Sequence, residues 1–181
     1  MKMQNGHLHA VGLYKPISKK HFLSLCISLF YGKIVGAKSV TVHLPLEILH
    51  PKFYKNLTLA KKFINFGEFL KHLLKINLFW ENAPLLNYGT WTLKHGQNNW
   101  KLIPKNIDLC LDTGHLILGA RNTREARKRI VKIFNERKNQ IRHLHIHEND
   151  LKSDSHEKPG KVVTKLLLKK LTKSRSFIYE E

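Results

Sequence analysis

Hydrophobic and polar positions alternate in several short stretches of the chain, and this period of two predicts β-strands. The clearest stretch is 141–147, where His143, His145 and His147 share one face and the residues between them are apolar. A strand pattern that carries three imidazoles on one face is a candidate ligand surface. The same alternation predicts further strands at residues 6–11, 38–43, 76–80, 107–112 and 176–180.

Apolar residues at helical spacing separate these strands. Leu23, Ile27, Phe30 and Ile34 predict a helix over 18–35, capped by Ser18. Similar patterns predict helices over residues 57–75, 123–138 and 162–171, the second of these three capped by Thr123. Residues 85–105 are rich in Gly and Asn and predict a long loop, which in a compact domain is usually functional.

Polar residues at the ends of the predicted strands recur at a nearly constant interval. His9, His43, Glu81, Asp112 and His145 are separated by 34, 38, 31 and 33 residues. About thirty residues is the length of one β/α unit, and an eight-fold β/α barrel gathers the carboxyl ends of its strands on one face. The sequence therefore predicts an α/β protein with a (β/α)8 TIM barrel, in which these side chains converge with Asp154, His156 and Glu180.

The barrel expected from this pattern is incomplete. The repeat begins at what corresponds to the second strand, so the first strand, its helix and the last helix have no counterpart in the pattern. A length of 181 residues suits one domain, and 42% hydrophobic content is typical of a globular chain. We therefore expect residues 1–181 to form a single barrel domain that is truncated at both ends.

Composition adds an expectation about compartment and partners. The chain has two cysteines, no secretory signal pattern and no apolar run long enough for a membrane span, so we expect a cytoplasmic protein without a membrane partner. Thirty-two Lys and Arg oppose 13 Asp and Glu, giving a formal charge of +19. This charge predicts attraction to nucleic acid, with a compositional bias toward Lys, Asn and Ile as the alternative explanation.

Several of the few acidic residues fall in or just after predicted strands, whereas the basic residues lie mostly on predicted helices. Carboxylates and neutral imidazoles together are the ligands of zinc, manganese and related divalent ions. Together with His115, Asp154, His156 and Glu180, the spacing set supplies four acids and five histidines, which is a sufficient inventory for two or three zinc ions.

The ordered motifs of the chain resemble those of the xylose isomerase-like TIM-barrel superfamily, and within it most closely those of endonuclease IV, the second family of apurinic/apyrimidinic endonucleases. Each motif alone is weak, but their order and spacing extend over nearly the whole chain. The motifs are HLHA at 7–10, VTVHLP from 41, WENAP at 80–84, LDTGH at 111–115, HIHEND at 145–150, DSH at 154–156 and IYEE at 178–181.

The resemblance to endonuclease IV implies a cluster of three zinc ions that hydrolyses the phosphodiester at abasic sites in DNA. It implies that Glu81 bridges two ions and that Glu81 and Glu180 are the catalytic residues. His145 is preferred to His147 because an acid, Glu148, follows it after three residues, and Glu180 is preferred to Glu181 by position. The implied metal ligands are His9, His43, Glu81, Asp112, His115, His145, Asp154, His156 and Glu180.

Two alternatives use the same fold. Sugar and sugar phosphate isomerases and epimerases of this superfamily resemble the chain through Glu81, Asp112, His145 and Glu180, which would bind one Mn or Mg ion. Such an enzyme does not need His9, His43, Asp154 or His156 as ligands, and this favours the hydrolase. The second alternative is an inactive, truncated relative that retains only a basic nucleic-acid-binding surface.

Overall fold

The computed structural model describes residues 2–10, 15–49, 55–84, 100–173 and 175–180. The chain divides into two compact units, Met1–Glu81 with Asn99–Asp108, and Asn82–Asn98 with Leu109–Glu181. Most of the predicted loop over 85–105 lies outside the described residues, which resume with a short 3₁₀ helix, Trp100–Leu102.

The first unit is a four-stranded sheet with helices between its strands. The order of its strands is β1-β2-β3-β4, with β1 antiparallel to β2 and the others parallel. Parallel neighbours require a crossover, and helices supply it between β2 and β3 and between β3 and β4. Its elements are β1 (Lys2–Gln4), β2 (His7–His9), α1 (Lys19–Ile34), β3 (Ser39–His43), α2 (Leu46–Leu49), α3 (Leu57–Leu74) and β4 (Asn77–Glu81).

The second unit repeats the same alternation. Its three strands are parallel and follow one another in chain order, β5-β6-β7. Its elements are β5 (Leu109–Asp112), α4 (Thr113–Ile117), α5 (Thr123–Arg137), β6 (Ile141–Ile146), α6 (Lys165–Thr172) and β7 (Ser176–Tyr179). The predicted α/β class with parallel strands is confirmed in both units.

The ends of the strands agree with the interval in the sequence. His9, His43, Glu81 and Asp112 are the last residues of β2, β3, β4 and β5, and His145 is the penultimate residue of β6. Each of these five strands thus places one candidate metal ligand at its carboxyl end, as the repeat predicts.

Some elements differ from the prediction at their boundaries. The sequence analysis predicts neither the strand β1 nor the short helices α2 and α4. The side chain of Asn122, one residue before the predicted cap Thr123, accepts a hydrogen bond from the Glu125 N–H and caps α5. Helix α6 begins later than expected, after Thr164.

Helix α1 packs through a different face from the one that carries the predicted apolar stripe. Leu25, Ser28, Leu29 and Gly32 are buried, whereas the four residues of the stripe are each about half or more exposed. Gly32 allows this approach, because a Cβ there would lie 2.7 Å from a methyl group of Val40 on β3. The helix is apolar on two sides, so its period alone cannot identify the side that packs.

Asp108 falls within the strand predicted over 107–112, but in the structure it lies just before β5. The ammonium group of Lys71 donates to Asp108 Oδ2 at 2.7 Å and to Glu68 Oε2 at 3.2 Å. Glu68 in turn accepts from the indole N–H of Trp80 at 2.8 Å, so Asp108 belongs to a structural network of the first unit.

Glu47 is a buried carboxylate that accepts a hydrogen bond from the Ile17 N–H. Among the described residues its second oxygen, Oε2, has no hydrogen-bond partner. Burial therefore raises the pKa of Glu47, although two backbone hydrogen bonds and the charge of His21 oppose the shift.

The raised pKa of Glu47 predicts a specific dependence of stability on pH. The folded state holds the proton more tightly than the unfolded state, so the wild-type protein loses stability as pH rises from about 4.5 through the folded-state pKa. Glu47→Gln removes this penalty and should raise the free energy of unfolding at pH 7 by an amount on the order of 1 kcal/mol. Urea unfolding at several pH values measures it. A variant less stable than wild type at neutral pH would contradict the prediction.

Candidate metal centre

In the first unit, one carboxylate and two imidazoles form a compact group at the ends of three neighbouring strands. His9 Nε2 lies 2.9 Å from Glu81 Oε2, and His43 Nε2 lies 3.6 Å from the same oxygen. Ligand atoms of all three residues lie within 4.8 Å of one another. Glu81 and His43 are buried, and the His9 side chain is 30% exposed. This donor set suits a divalent ion of the zinc type.

Strand register brings these three side chains together. His43 is directly opposite Glu81 in the β3–β4 ladder, and His9 is opposite Thr41, two residues before His43. Residues two apart on a strand point to the same face, so all three side chains lie on one face of the sheet. A shift of one residue in either register would turn one ligand away from the group.

In the second unit, Asp112 and Glu180 lie beside two histidines of the β6 region. His145 Nδ1 is 3.0 Å from Glu180 Oε1 and 3.9 Å from Asp112 Oδ2. His147 Nε2 is 3.0 Å from Asp112 Oδ1 and 4.0 Å from Glu180 Oε2. Asp112, His147 and Glu180 offer three ligand atoms within 4.8 Å of one another.

A second group in this unit contains three imidazoles and one carboxylate. His115 Nε2 and His156 Nε2 lie 3.3 Å and 3.6 Å from Asp154 Oδ2, and the ring of His147 stacks on that of His156 with centroids 4.1 Å apart. The other oxygen of Asp154 is buried and has no hydrogen-bond partner within the part of the chain that the structure describes. A buried acceptor without a partner is costly, and a cation between the four ligand atoms would satisfy it.

Backbone groups hold this second group in place. The Asp112 carboxylate accepts from the His115 N–H at 2.7 Å and caps α4, and His115 Nδ1 lies 2.8 Å from the carbonyl oxygen of Asn82. Because Nδ1 donates to that carbonyl, Nε2 of His115 is left to face Asp154 as an acceptor of a proton or an ion. Gly114 is required here, since a Cβ at this position would overlap the His147 ring.

The charges within the second unit shift two pKa values. Burial lowers the pKa of His147, but the charge of Asp112 and its hydrogen bond outweigh burial, and the net pKa is raised. Burial raises the pKa of Asp154, but the hydrogen bond and charge of His115 outweigh it, and the net pKa is lowered. Both shifts follow from the short distances between imidazole and carboxylate groups in this unit.

His147 is the residue that the predicted ligand set omits. It lies in both groups of the second unit, whereas the preferred His145 lies beside Asp112 and Glu180 only through Nδ1. The signal that points to His147 is the alternation 143, 145, 147 itself, which places all three rings on one face. Glu181 lies outside the described residues, and the individual ligand and catalytic roles, including the bridging role of Glu81, stay predictions.

Glu148, the glutamate of the HIHEND motif, binds backbone groups and belongs to none of the candidate ligand groups described above. Its carboxylate is buried and accepts four backbone N–H groups, from Gly160, Lys161, Val162 and Val163, at 2.6–3.1 Å. It anchors the loop that follows β6. Asp150 closes a turn by accepting from the N–H groups of Lys152 and Ser153.

Within the described residues, no helix combines the length and apolarity that crossing a lipid bilayer requires.

No family model matches the sequence, and no curated protein matches it. Two solved structures resemble the chain. One is a D-tagatose 3-epimerase-like protein, with a TM-score of 0.64 and 18% identity over 97% of this chain and 70% of that one.

The other is the TTHB071 protein from Thermus thermophilus, from a crystal soaked with ZnCl2. Its TM-score is 0.59 and its identity 16%, over 94% of this chain and 69% of that one. At such identities the likeness shows the fold. The chain shares the fold of these two structures, with seven strands in the described part, and the predicted fold class of an incomplete (β/α)8 barrel is confirmed.

If these groups bind divalent ions, metal should stabilise the folded protein. Zinc added to chelator-treated protein at about one hundred times its dissociation constant should contribute about 2.7 kcal/mol, which corresponds to about 5–10 °C in Tm. His115→Ala removes one ligand and should reduce this shift. His72→Ala, which removes an exposed histidine of α3, should leave it unchanged. A Tm that does not respond to zinc, manganese, magnesium or cobalt would contradict metal binding.

Proposed function

We propose that this protein is a divalent-metal-dependent phosphodiesterase that hydrolyses the DNA backbone at abasic sites, as endonuclease IV does. The observation that carries the proposal is the group His115, His147, Asp154 and His156, together with the separate group of the first unit. A single-metal isomerase has no use for these additional ligands, whereas a multinuclear hydrolase needs each of them.

The side chains of both units fit zinc. In the first unit His9, His43 and Glu81 would hold one ion, and in the second unit Asp112, Glu180 and the histidines of the β6 region would hold another. His115, Asp154 and His156 would hold a third. Ions of this kind, when bound, activate a water molecule near neutral pH and neutralise charge on phosphate oxygens.

The protein's own groups prepare the site for that chemistry. Asp112 and Glu81 are inaccessible to solvent, so water screens the charges of their carboxylates only weakly. Asp112 also fixes the start of α4 and thereby the position of His115. Asp154 lies against His115 and His156 and orients both rings. The residues thus hold their ligand atoms in place before any substrate arrives, which is the condition for electrostatic catalysis.

DNA is the partner that the charge of the protein favours. Helix α5 exposes Arg124, Arg127, Lys128 and Lys132, and the whole chain carries a formal charge of +19. Basic side chains of this kind bind the phosphate backbone without regard to base sequence. An enzyme that acts at abasic sites needs such binding, because its target has no base to read.

The second candidate is a sugar or sugar phosphate epimerase or isomerase with one Mn or Mg ion. The observation that favours it is the structural likeness to a D-tagatose 3-epimerase-like protein over nearly the whole chain. In this case carboxylates near the ion would move the proton at the carbon beside the carbonyl group.

Cleavage of a duplex that contains one abasic site tests the primary proposal. The wild-type protein loaded with zinc should cut the backbone at that site, and chelation should abolish cutting. Glu81→Gln keeps the shape of the side chain but removes its charge, so the rate should fall about 100-fold or more. Glu136→Gln, on the exposed side of α5, removes a carboxylate of the same type and should keep full activity.

The same preparations separate the alternatives. Metal analysis should give more than one zinc per chain for the phosphodiesterase and about one Mn or Mg for the isomerase. Intact DNA together with epimerisation of a ketose or sugar phosphate would reverse the ranking. Intact DNA, no sugar turnover and salt-sensitive DNA binding without metal would identify an inactive relative.

A further inference from the structure

We propose that Cys110, His143 and His145 form an additional, fully buried metal site that selects a thiophilic ion such as zinc. This site lies in the second unit and uses two residues, Cys110 and His143, that neither candidate function requires. The site shares His145 with the candidate centre, so variants of Cys110 and His143 test it separately from the phosphodiesterase and the epimerase.

Adjacent parallel strands place these three side chains on one face. Cys110 on β5 is opposite His143 on β6, and His145 follows two residues later, opposite Asp112. The thiol sulfur and one ring nitrogen from each histidine lie within 4.8 Å of one another. Bonds of about 2.3 Å from zinc to sulfur and about 2.0–2.1 Å to nitrogen span such a triangle with small adjustments of the side chains.

Burial makes this group unlike a chance cluster on a surface. Cys110, His143 and His145 are each exposed by no more than 1% of their surface. Lone buried cysteines behave as small apolar residues, but two imidazoles beside one thiol form a polar group in the interior. Thiolate sulfur and neutral imidazole nitrogen are both ligands that zinc binds in proteins.

A hydrogen bond outside the group orients one of its rings. His143 Nδ1 lies 2.7 Å from the hydroxyl oxygen of Ser176, the residue opposite His143 in the β6–β7 ladder. This contact fixes the imidazole and directs Nε2 to the ion, as the supporting hydrogen bonds of metal-binding histidines commonly do. The rings of His143 and His145 meet edge to face, with centroids 5.3 Å apart.

His145 connects the proposed site to the carboxylates of the candidate centre. Its Nδ1 lies 3.0 Å from Glu180 Oε1, so we assign Nε2 as the nitrogen that would bind the ion of the thiol-containing site. When the ion binds, the thiol transfers its proton to solvent and the sulfur becomes a thiolate ligand. Thiolate prefers zinc, cobalt and copper(I) to magnesium and manganese, so this site differs in selectivity from an oxygen-rich one.

Cobalt(II) titration of the reduced, chelator-treated full chain tests the site, because thiolate bound to cobalt gives a near-ultraviolet charge-transfer band that imidazole and carboxylate do not. Wild type should develop this band. Cys110→Ser and Cys110→Ala should lose it, while Cys26→Ala, which removes the other cysteine, should retain it. His143→Gln should weaken the cobalt affinity that the band reports by about 10–100-fold.

The visible ligand-field bands and the far-ultraviolet circular dichroism distinguish loss of this site from loss of the fold or of other sites. Retained ligand-field bands with a lost charge-transfer band in Cys110→Ser would support the proposal. Bound cobalt without a charge-transfer band in wild type, or a band that depends on Cys26, would overturn it. A band that persists in both Cys110 variants would overturn it as well. DNA cleavage that survives in Cys110→Ser would leave the proposed function standing in either case.

Discussion

The buried carboxylate of Asp112 is the group on which the second unit depends. It has no exposure to solvent, caps α4 through the His115 N–H and lies within 3.0 Å of the His147 ring. The backbone of Asp112 is tied to the Asn82 side chain by two hydrogen bonds. Burial of a charge costs several kcal/mol unless ion pairs, hydrogen bonds or metal ions compensate. The histidines around Asp112 provide part of this compensation.

In the first unit, the buried carboxylate that requires compensation is that of Glu81. This carboxylate also ends a parallel strand, has no exposure to solvent and faces two imidazoles, those of His9 and His43. In both units the strand supplies a rigid position, and the neighbouring strands supply the nitrogen atoms that compensate the charge. Because the ligands lie on strands and not on loops, the first group is fixed by backbone register before any ion binds.

The interval of about thirty residues made the strand ends predictable, because a β/α unit has a nearly fixed length. The interval could not identify His147 as a candidate ligand, because this residue lies beyond the end of β6 at Ile146. In the structure His147 belongs to two groups of candidate ligands. The role of Glu148 was equally inaccessible, since its partners are backbone groups 12 to 15 residues away. The apolar stripe of α1 did not identify the buried face of the helix. A helix that is apolar on two sides shows helical periodicity, but the periodicity does not tell which side packs.

The composition of the ligand groups bears on the kind of ion. Magnesium and manganese prefer oxygen atoms and keep several water molecules, whereas zinc accepts imidazole readily. The group of His115, His147, Asp154 and His156 offers three imidazoles to one carboxylate, a nitrogen-rich set. The carboxylates of Asp112 and Glu180 add negative charge next to this nitrogen-rich group. They would reduce the electrostatic repulsion between ions bound in neighbouring groups of this unit. A nitrogen-rich group beside an oxygen-rich one is the feature of the second unit on which the proposal of a multinuclear zinc centre rests.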